Sequence, residues 1–561
     1  MDLTIRIAGE AGQGVQTTGA LLVSTLARMG LHVFATQSYL SRIRGGLNWY
    51  DVRIADAPLF SGREAADVLV ALVPEALDVL RPHVVPGGAI LFDGECGDGC
   101  IGIPLTQVAK EIGGSAVMAN AVAAGAVFAL LGYDRTALAD YLGVQFKKKG
   151  QEVIDKNVAC AHEGARRAAD HAGRIAAPKP TGAAIAMSSG TEAVGLGAAT
   201  AGVKFVASYP MTPSTGVFTF LAGAADAYGI VVEQAEDEIA AINMVCGAAY
   251  AGVPAMTTTS GGGFALMVEG VSLAGMLELP AVILLSQRPG PATGLPTRTA
   301  QQDLLFAVHA GHGEVARAVF APGTPEQAYH LARRALETAH RFQTPVILLI
   351  DQFLADLQMA TPPLDATLRP IDRHVVTEPP ADYVRYAVTE GGVSPRALPG
   401  GPAPVVVDSD EHTEDGHITE DLAARVRLQD KRLAKLGPMT AEALAPERYG
   451  PADAPVLLVC WGSTYGPCRE AVDRLAARGT KAAMVHFAQV WPLDAAAARR
   501  AMGLEGDGAA RPERILVVEG NATGQLAALL RQVGVAHDAE SLLQYDGLPF
   551  TGEAIAERIP G

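Results

Sequence analysis

Apolar residues along this chain fall into short runs, broken by Gly- and Pro-rich turns and by stretches of helical spacing. Leu3-Thr-Ile-Arg-Ile-Ala8 alternates apolar with polar and predicts a strand; Gly9-Glu-Ala-Gly-Gln-Gly14 then turns the chain into a helix starting near Val15. A second region predicts buried strands near 203–208, 229–233, 253–258, 280–286 and 345–350, with helices between them. A third repeats the order. Val456-Leu-Leu-Val-Cys-Trp-Gly-Ser463 is a strand entering a Gly/Ser turn, followed by a helix over Cys468–Ala477 and strands Ala482–Phe487 and Ile515–Glu519. Glu519-Gly-Asn-Ala-Thr-Gly-Gln-Leu526 opens another helix. Strands alternating with helices in this way predict an α/β fold with doubly wound sheets.

The pattern divides the chain into a first domain over 1–175, a linker over 176–186, a second domain over 187–365, an irregular region over 366–448 and a third domain over 449–561. The irregular region carries Pro399-Gly-Gly-Pro402 and the polar run Asp408–His417. Its two histidines and several carboxylates match neither the zinc spacings nor the calcium-loop template, and a solvated loop ordered by neighbouring chains is expected. Leu422–Leu436, with Arg425, Arg427, Lys431, Arg432 and Lys435, reads as an exposed helix lying against a partner.

Composition narrows the classes. The 561 residues are 49% apolar, enough for several large cores, and the net charge is 44 − 60 = −16, which argues against nonspecific nucleic-acid binding. The amino end reads straight into a strand rather than a signal peptide, and no uninterrupted apolar run reaches membrane-spanning length. Cys96, Cys100, Cys160, Cys246, Cys460 and Cys468 form no Cys-x-x-Cys pair. An iron–sulfur cluster on this chain is therefore not expected, Cys460 and Cys468 read as free thiols, and the cytoplasm suits them.

The candidate chemistry lies in the second region. The run Val203–Ala207 is stopped by Tyr209-Pro210 and Thr212-Pro213, two rigid X-Pro steps, after which Ser214 or Thr215 caps a helix with apolar positions at Val217, Phe218 and Leu221. The Thr212 hydroxyl thus sits at the carboxyl end of a parallel strand, where open α/β sheets place their ligands. After the strand Gly229–Glu233, helical spacing turns Ile239, Ile242, Met244 and Val245 toward a core. Glu236 and Glu238 are left in the first turn, near the positive end of the helix dipole. In the first domain, Gly9–Gly14 has the form of a phosphate-cradling loop, although Thr17 stands where a dinucleotide fingerprint needs its third glycine. Arg42 and Arg44 beside Gly45-Gly46 suit anionic groups.

Glu238-Ile-Ala-Ala-Ile-Asn-Met-Val-Cys-Gly247, in which a glutamate opens a small-residue helix and reaches a glycine nine positions on, is similar to the pyrimidine-binding helix of thiamine diphosphate enzymes. Taken in order with Tyr209-Pro-Met-Thr-Pro-Ser-Thr215, Thr259-Ser-Gly-Gly-Gly263 and Gly294-Leu-Pro-Thr-Arg-Thr-Ala-Gln-Gln-Asp303, it closely resembles the α subunit of 2-oxoacid:ferredoxin oxidoreductases. The resemblance is to the 2-oxoglutarate and broad 2-oxoacid type with a fused γ domain, and it covers essentially the whole chain. It implies a γ-like first domain and two transketolase-like domains, the second binding the thiamine pyrimidine.

The resemblance also implies roles. Glu238 would bond N1′ of the aminopyrimidine, with Tyr209, Pro210 and Glu236 beside the cofactor, and Thr212 and Arg298 would take the substrate carboxylate. Gly12, Gly14, Arg42 and Arg44 would contact coenzyme A; a tight turn flanked by surface arginines accounts for them equally well. Gly97-Asp-Gly99 has no following Asn-Asn pair and lies in the γ-like domain, so it reads as a chance loop and no metal is assigned to this chain. Mg²⁺, the diphosphate and a [4Fe–4S] cluster then belong to a β subunit in an α2β2 assembly. The implied reaction is coenzyme A-dependent oxidative decarboxylation of a 2-oxoacid with electrons passing to ferredoxin, or its reverse. 2-Oxoglutarate is favoured over pyruvate or a broad range. A thiamine-dependent transketolase or decarboxylase subunit, and a noncatalytic nucleotide-binding module, are the readings from other classes.

Overall fold

The computed structural model describes residues 1–40, 45–505 and 511–560. The chain divides into two compact units. One comprises Met1–Ser188, Asp356–Pro363 and Thr551–Glu553; the other comprises Ser189–Ala355, Leu364–Phe550 and Ala554–Gly561.

The first unit is built on a mixed eight-stranded sheet. Its central strand Asp2–Glu10 pairs antiparallel with Leu47–Ala55 and parallel with Ala66–Ala71. Helix Val15–Arg28 follows the glycine loop as expected. Helix Ala119–Leu131 is apolar all round and buried, and it crosses helix Gln151–Arg167 at closest quarters. A Cβ on Gly125 would lie 1.9 Å from the Ala161 carbonyl oxygen, so only glycine permits this approach. No single helix among the described residues is long and apolar enough to cross a membrane; a bent pair, Leu105–Gly113 with Ala116–Leu131, passes on composition but lies largely in this core. The segment 176–186 has no regular element, yet it is pinned to the first helix by Gly182 N–H donating to Met29 O at 2.9 Å and Ile185 N–H to Ala27 O at 2.9 Å. Cys96 and Cys100, which lack Cys-x-x-Cys spacing, are joined in a disulfide; the other four cysteines are buried free thiols.

The second unit holds a seven-stranded and a five-stranded sheet. Parallel strands Phe205–Ser208, Val231–Gln234, Ala255–Thr259, Ala281–Gln287 and Val346–Asp351 lie within two residues of the expected positions, because buried apolar runs bounded by turns are a local signal. In the five-stranded sheet, Val456–Trp461 pairs parallel with both Ala482–Phe487 and Arg514–Glu519. Gln489–Trp491 crosses over to pair antiparallel with Ala318–Phe320 of the larger sheet. One apolar core, including Ile283, Phe264, Val459 and Trp461, runs through both. The architecture is therefore α/β with parallel-rich sheets.

The region after 366 departs from expectation in two ways. His412 is fully buried, its ring 4.0 Å from that of Tyr386, and Glu411 accepts from Arg432 and Arg425, so the polar run is anchored within the chain rather than solvated throughout. Helix Leu422–Ala434 keeps Arg425 and Arg427 in solvent but buries Lys431 and Arg432, with Lys435 just beyond it also buried. Lys431 and Lys435 each place Nζ 2.6 Å from a carboxylate oxygen of Glu278, itself wholly buried and held at φ 52°. A lysine-rich helix reads as solvated only until a buried carboxylate is folded against it.

Candidate functional site

The site gathers at the carboxyl ends of the parallel strands. Strand Phe205–Ser208 is tied to its neighbour by the Ser208 hydroxyl, which accepts from Thr258 N–H at 2.9 Å. The following turn exposes Tyr209 and half-buries Pro210 and Thr212. Ser214 occupies the cap position of helix Thr215–Tyr228 but does not cap it; its hydroxyl donates back to Met211 O at 2.7 Å, tightening the turn. The Thr212 carbonyl accepts from Arg288 Nη1 at 2.8 Å. Arg288, at the end of strand Ala281–Gln287, was not among the sequence candidates, although it stands at a strand's carboxyl end much as Thr212 does.

Helix Glu238–Tyr250 begins at Glu238, capped by Asp237, whose carboxylate accepts from Ala240 N–H at 2.8 Å. Glu236 therefore precedes the helix and is exposed, instead of sharing its first turn. Ile242 and Val245 enter the core as expected, but Ile239 and Met244 are 48% and 36% exposed. Gly247 is exposed and faces nothing within 4 Å, so packing inside this chain does not demand a glycine there.

Glu238 is only 4% exposed, and its Oε1 has no hydrogen-bond partner. The reason such a group fits is Gly263. A Cβ there would come within 2.6 Å of Glu238 Oε1 and 2.2 Å of Thr259 Oγ1, so the glycine run at the start of helix Gly261–Met276 makes room for the carboxyl. A second carboxyl stands against the same run. Asp303 Oδ2 would lie 2.7 Å from a Cβ on Gly261, and it too lacks a partner; burial pushes this carboxyl up to about 6. The hydroxyls of Thr257 and Ser260 are likewise buried without partners. Buried polar groups are ordinarily paired, so the two unpartnered carboxyl oxygens of Glu238 and Asp303 against one glycine turn suit a polar ligand that would supply the missing bonds. A flat heteroaromatic base with ring nitrogens and an amino group is of the right chemistry for them.

Arg298 is half-buried in the loop between strand Ala281–Gln287 and helix Leu304–His309, its N–H donating to Leu295 O at 3.1 Å. The loop is tied to the rest of the site. Gln302 Nε2 donates to Arg288 O at 3.1 Å, and Asp303 N–H donates to Gln287 Oε1 at 2.9 Å. Thr212, Arg288, the Arg298 loop and the glycine turn against Glu238 thus form one connected assembly. Asp303 closes the Gly294–Asp303 motif but was given no role there; a carboxylate ending a polar Gln-Gln-Asp stretch is the signal that points to one.

The remaining candidates lie in the first unit. Gly12 and Gly14 adopt φ 93° and 82°, a conformation glycine alone takes readily. Gly14 stands just ahead of helix Val15–Arg28, and a Cβ on it would lie 2.3 Å from Asn120 Oδ1, which also accepts from the Thr18 hydroxyl at 3.1 Å. Arg42 and Arg44 fall outside the described residues. Among the described residues, no group of three or more His, Cys, Asp or Glu could hold a metal ion.

Comparison with known proteins bears on these features. Residues 196–431 match the family described as pyruvate flavodoxin/ferredoxin oxidoreductase, thiamine diphosphate-binding, and residues 4–167 match pyruvate ferredoxin/flavodoxin oxidoreductase. The chain is 30% identical to 2-oxoacid:ferredoxin oxidoreductase 2, subunit alpha, of Aeropyrum pernix, over 99% of this chain and 97% of that one. It is 28% identical to 2-oxoglutarate oxidoreductase subunit KorA of Mycobacterium tuberculosis, over 100% and 91%. Among solved structures it is similar to 2-oxoglutarate:ferredoxin oxidoreductase from Magnetococcus marinus with 2-oxoglutarate, coenzyme A and succinyl-CoA bound. That likeness has a TM-score of 0.92 and 33% identity, and covers 99% of this chain and 98% of that one.

Proposed function

The chain belongs to the α subunits of the thiamine diphosphate-dependent 2-oxoacid:ferredoxin oxidoreductases, and from that premise we propose that it converts 2-oxoglutarate and coenzyme A to succinyl-CoA and CO₂, passing electrons to ferredoxin, or runs the reverse. The observation that carries the reading is the buried Glu238 carboxyl, with its free oxygen facing the glycine turn at the sheet's carboxyl edge. The choice of 2-oxoglutarate is supported by the similarity to the 2-oxoglutarate oxidoreductases of Mycobacterium tuberculosis and Magnetococcus marinus.

The residues present fit an aminopyrimidine: Glu238 Oε1 is unpartnered, and Gly263 keeps the space beside it clear. Bound thiamine diphosphate supplies a nucleophilic carbon that makes loss of CO₂ from a 2-oxoacid possible. Glu238 would hold a proton at the ring nitrogen, and its burial, only 4% exposed, would strengthen that bond. Tyr209, Pro210 and the exposed Glu236 are assigned to the cofactor with it. Thr212 and Arg298 bind the carboxylate next to the oxo group, the arginine through a planar fork that matches carboxylate geometry. Arg288 fixes the Thr212 turn by donating to its carbonyl. The Gly12–Gly14 loop, with Arg42 and Arg44, takes the phosphates of coenzyme A.

The diphosphate, its Mg²⁺ and a [4Fe–4S] cluster reside on a β subunit, in a cytoplasmic α2β2 assembly served by ferredoxin. The reading is tested by expressing the chain with and without that subunit. With it, 2-oxoglutarate- and coenzyme A-dependent reduction of a viologen dye should exceed the rate with pyruvate; alone, the chain should be inactive. A preference for pyruvate would refute the substrate, and activity of the chain alone would refute the division of the site.

Arg298→Lys should raise KM for the 2-oxoacid far more than KM for coenzyme A. A charge remains, but the fork is lost, at about 1–3 kcal/mol or roughly 10- to 100-fold in kcat/KM. Thr212→Ala should act in the same direction but less. Steady-state kinetics varying each substrate in turn decide this, and equal effects on both constants would leave Arg298 without the role.

A further inference from the structure

The loop that carries Arg298 leaves the larger sheet but is fastened to the module built on the smaller one. Thr299 N–H donates to Gly547 O at 3.1 Å, and Gln301 N–H donates to Gly520 O at 2.7 Å. The Gln301 side chain is 2% exposed and uses both ends: Nε2 donates to Trp461 O at 2.8 Å, while Oε1 accepts from Gly520 N–H at 2.9 Å. Its carbonyl accepts from Asn521 Nδ2 at 2.9 Å. Every polar group of Gln301 is therefore engaged, and every partner lies in the carboxyl-terminal module.

The partners are themselves held. Glu519 is wholly buried, and its Oε2 accepts from Asn521 Nδ2 at 2.9 Å, Trp461 Nε1 at 3.2 Å and Leu526 N–H at 2.7 Å. Gln525 reaches across on the far side of Gln301, donating to Gln302 O at 2.6 Å and accepting from Leu305 N–H at 3.0 Å. On the near side, the Thr299 hydroxyl accepts from Phe353 N–H at 3.3 Å. The backbone is thus gripped immediately after Arg298 and again two residues further on. Arginine–carboxylate recognition tolerates only about 0.5 Å of misplacement before a bond of the fork is lost.

We propose that Gln301 is a positioning residue for Arg298, and that the Gly520–Asn521 turn, acting through it, sets the enzyme's affinity for the 2-oxoacid carboxylate. This rests on the role given to Arg298 above. It assigns a specific task to the carboxyl-terminal module: it presses the substrate loop into register from behind.

The test uses the assembled enzyme with Gln301→Met, which keeps the side chain's length but removes its donor and acceptor. KM for 2-oxoglutarate should rise about 10-fold, while kcat and KM for coenzyme A change by less than about 2-fold. Because the effect runs through the arginine, it should shrink below about 2-fold when introduced into Arg298→Lys, which a purely structural role would not produce. Hydrogen exchange should speed up at Thr299 and Gln301 and stay slow in helix Gly261–Met276. Should Gln301→Met fail to fold, Gln525→Leu at the half-buried edge of the turn carries the same expectations. An undiminished effect in the Arg298→Lys background, equal shifts in both KM values, or no shift overturns the proposal. Absence of any 2-oxoacid turnover in the unsubstituted assembly overturns the function proposed above, and this role with it.

Discussion

Glu238→Gln is expected to abolish 2-oxoacid-dependent turnover while leaving folding and assembly intact. The amide has the same shape, so it fits against Gly263, where a Cβ would already meet Glu238 Oε1 at 2.6 Å. What it lacks is a proton that can be held at, and returned from, a ring nitrogen. Removing a positioned acid–base group costs on the order of 10²- to 10⁴-fold, and here nothing nearby substitutes. Asp303 faces the same glycine turn, but at Gly261 rather than Gly263. Glu236→Gln, in an exposed residue ahead of the helix, should lower activity only slightly. The measurement is dye reduction by the assembled enzyme, alongside thermal melting and gel filtration. An active Glu238→Gln enzyme, or an essential Glu236, would overturn the assignment.

The second large effect is on stability. Glu278→Gln should destabilise the protein by about 3–5 kcal/mol, because it leaves the ammonium groups of Lys431 and Lys435 buried without their counter-charge. Burial alone would raise the Glu278 carboxyl, but Lys435, Lys431 and Arg385 outweigh it and hold it at about 2, against an ordinary 4.5. The pH dependence follows from that direction. A carboxyl depressed by folding contributes stability that is fully present above about 4.5 and is lost as pH falls through about 2. Denaturant melts should therefore show the wild type losing stability across that acid range. Glu278→Gln should start lower and decline less over the same range. Equal stability at neutral pH would show that the cluster is not held by this carboxylate.

The two predictions differ in how far the residues foretold them. That Glu238 opens its helix was legible because the signals are local: a glutamate heading small residues, after a strand and before a run of glycines. The cluster around Glu278 was not. Lys431 and Lys435 lie on a charged stretch that reads as solvated, and their partner is 153 positions from Lys431. Ile239 and Met244 failed in the opposite sense. They fit the apolar spacing of their helix, yet of the four expected positions only Ile242 and Val245 face the core, since a helix laid on a sheet buries one stripe and spacing alone sets that stripe to within about a residue.

By itself the amino-acid order determined the alternation of strands and helices, the positions of five parallel strands of the larger sheet to within two residues, and where the turns between them fall. These depend on periodicity and on Pro and Gly at strand ends, which act over a few residues. Only the tertiary structure decided what those turns meet. It set Arg288 on the Thr212 carbonyl across 76 positions, and Gln301 between Trp461 and Gly520 across 160 and 219. It also left Glu238 Oε1 buried and unpartnered against Gly263. Each is a hydrogen bond, or a missing one, between segments far apart in sequence, and such pairing is fixed by how sheets and loops pack in three dimensions, not by any local pattern.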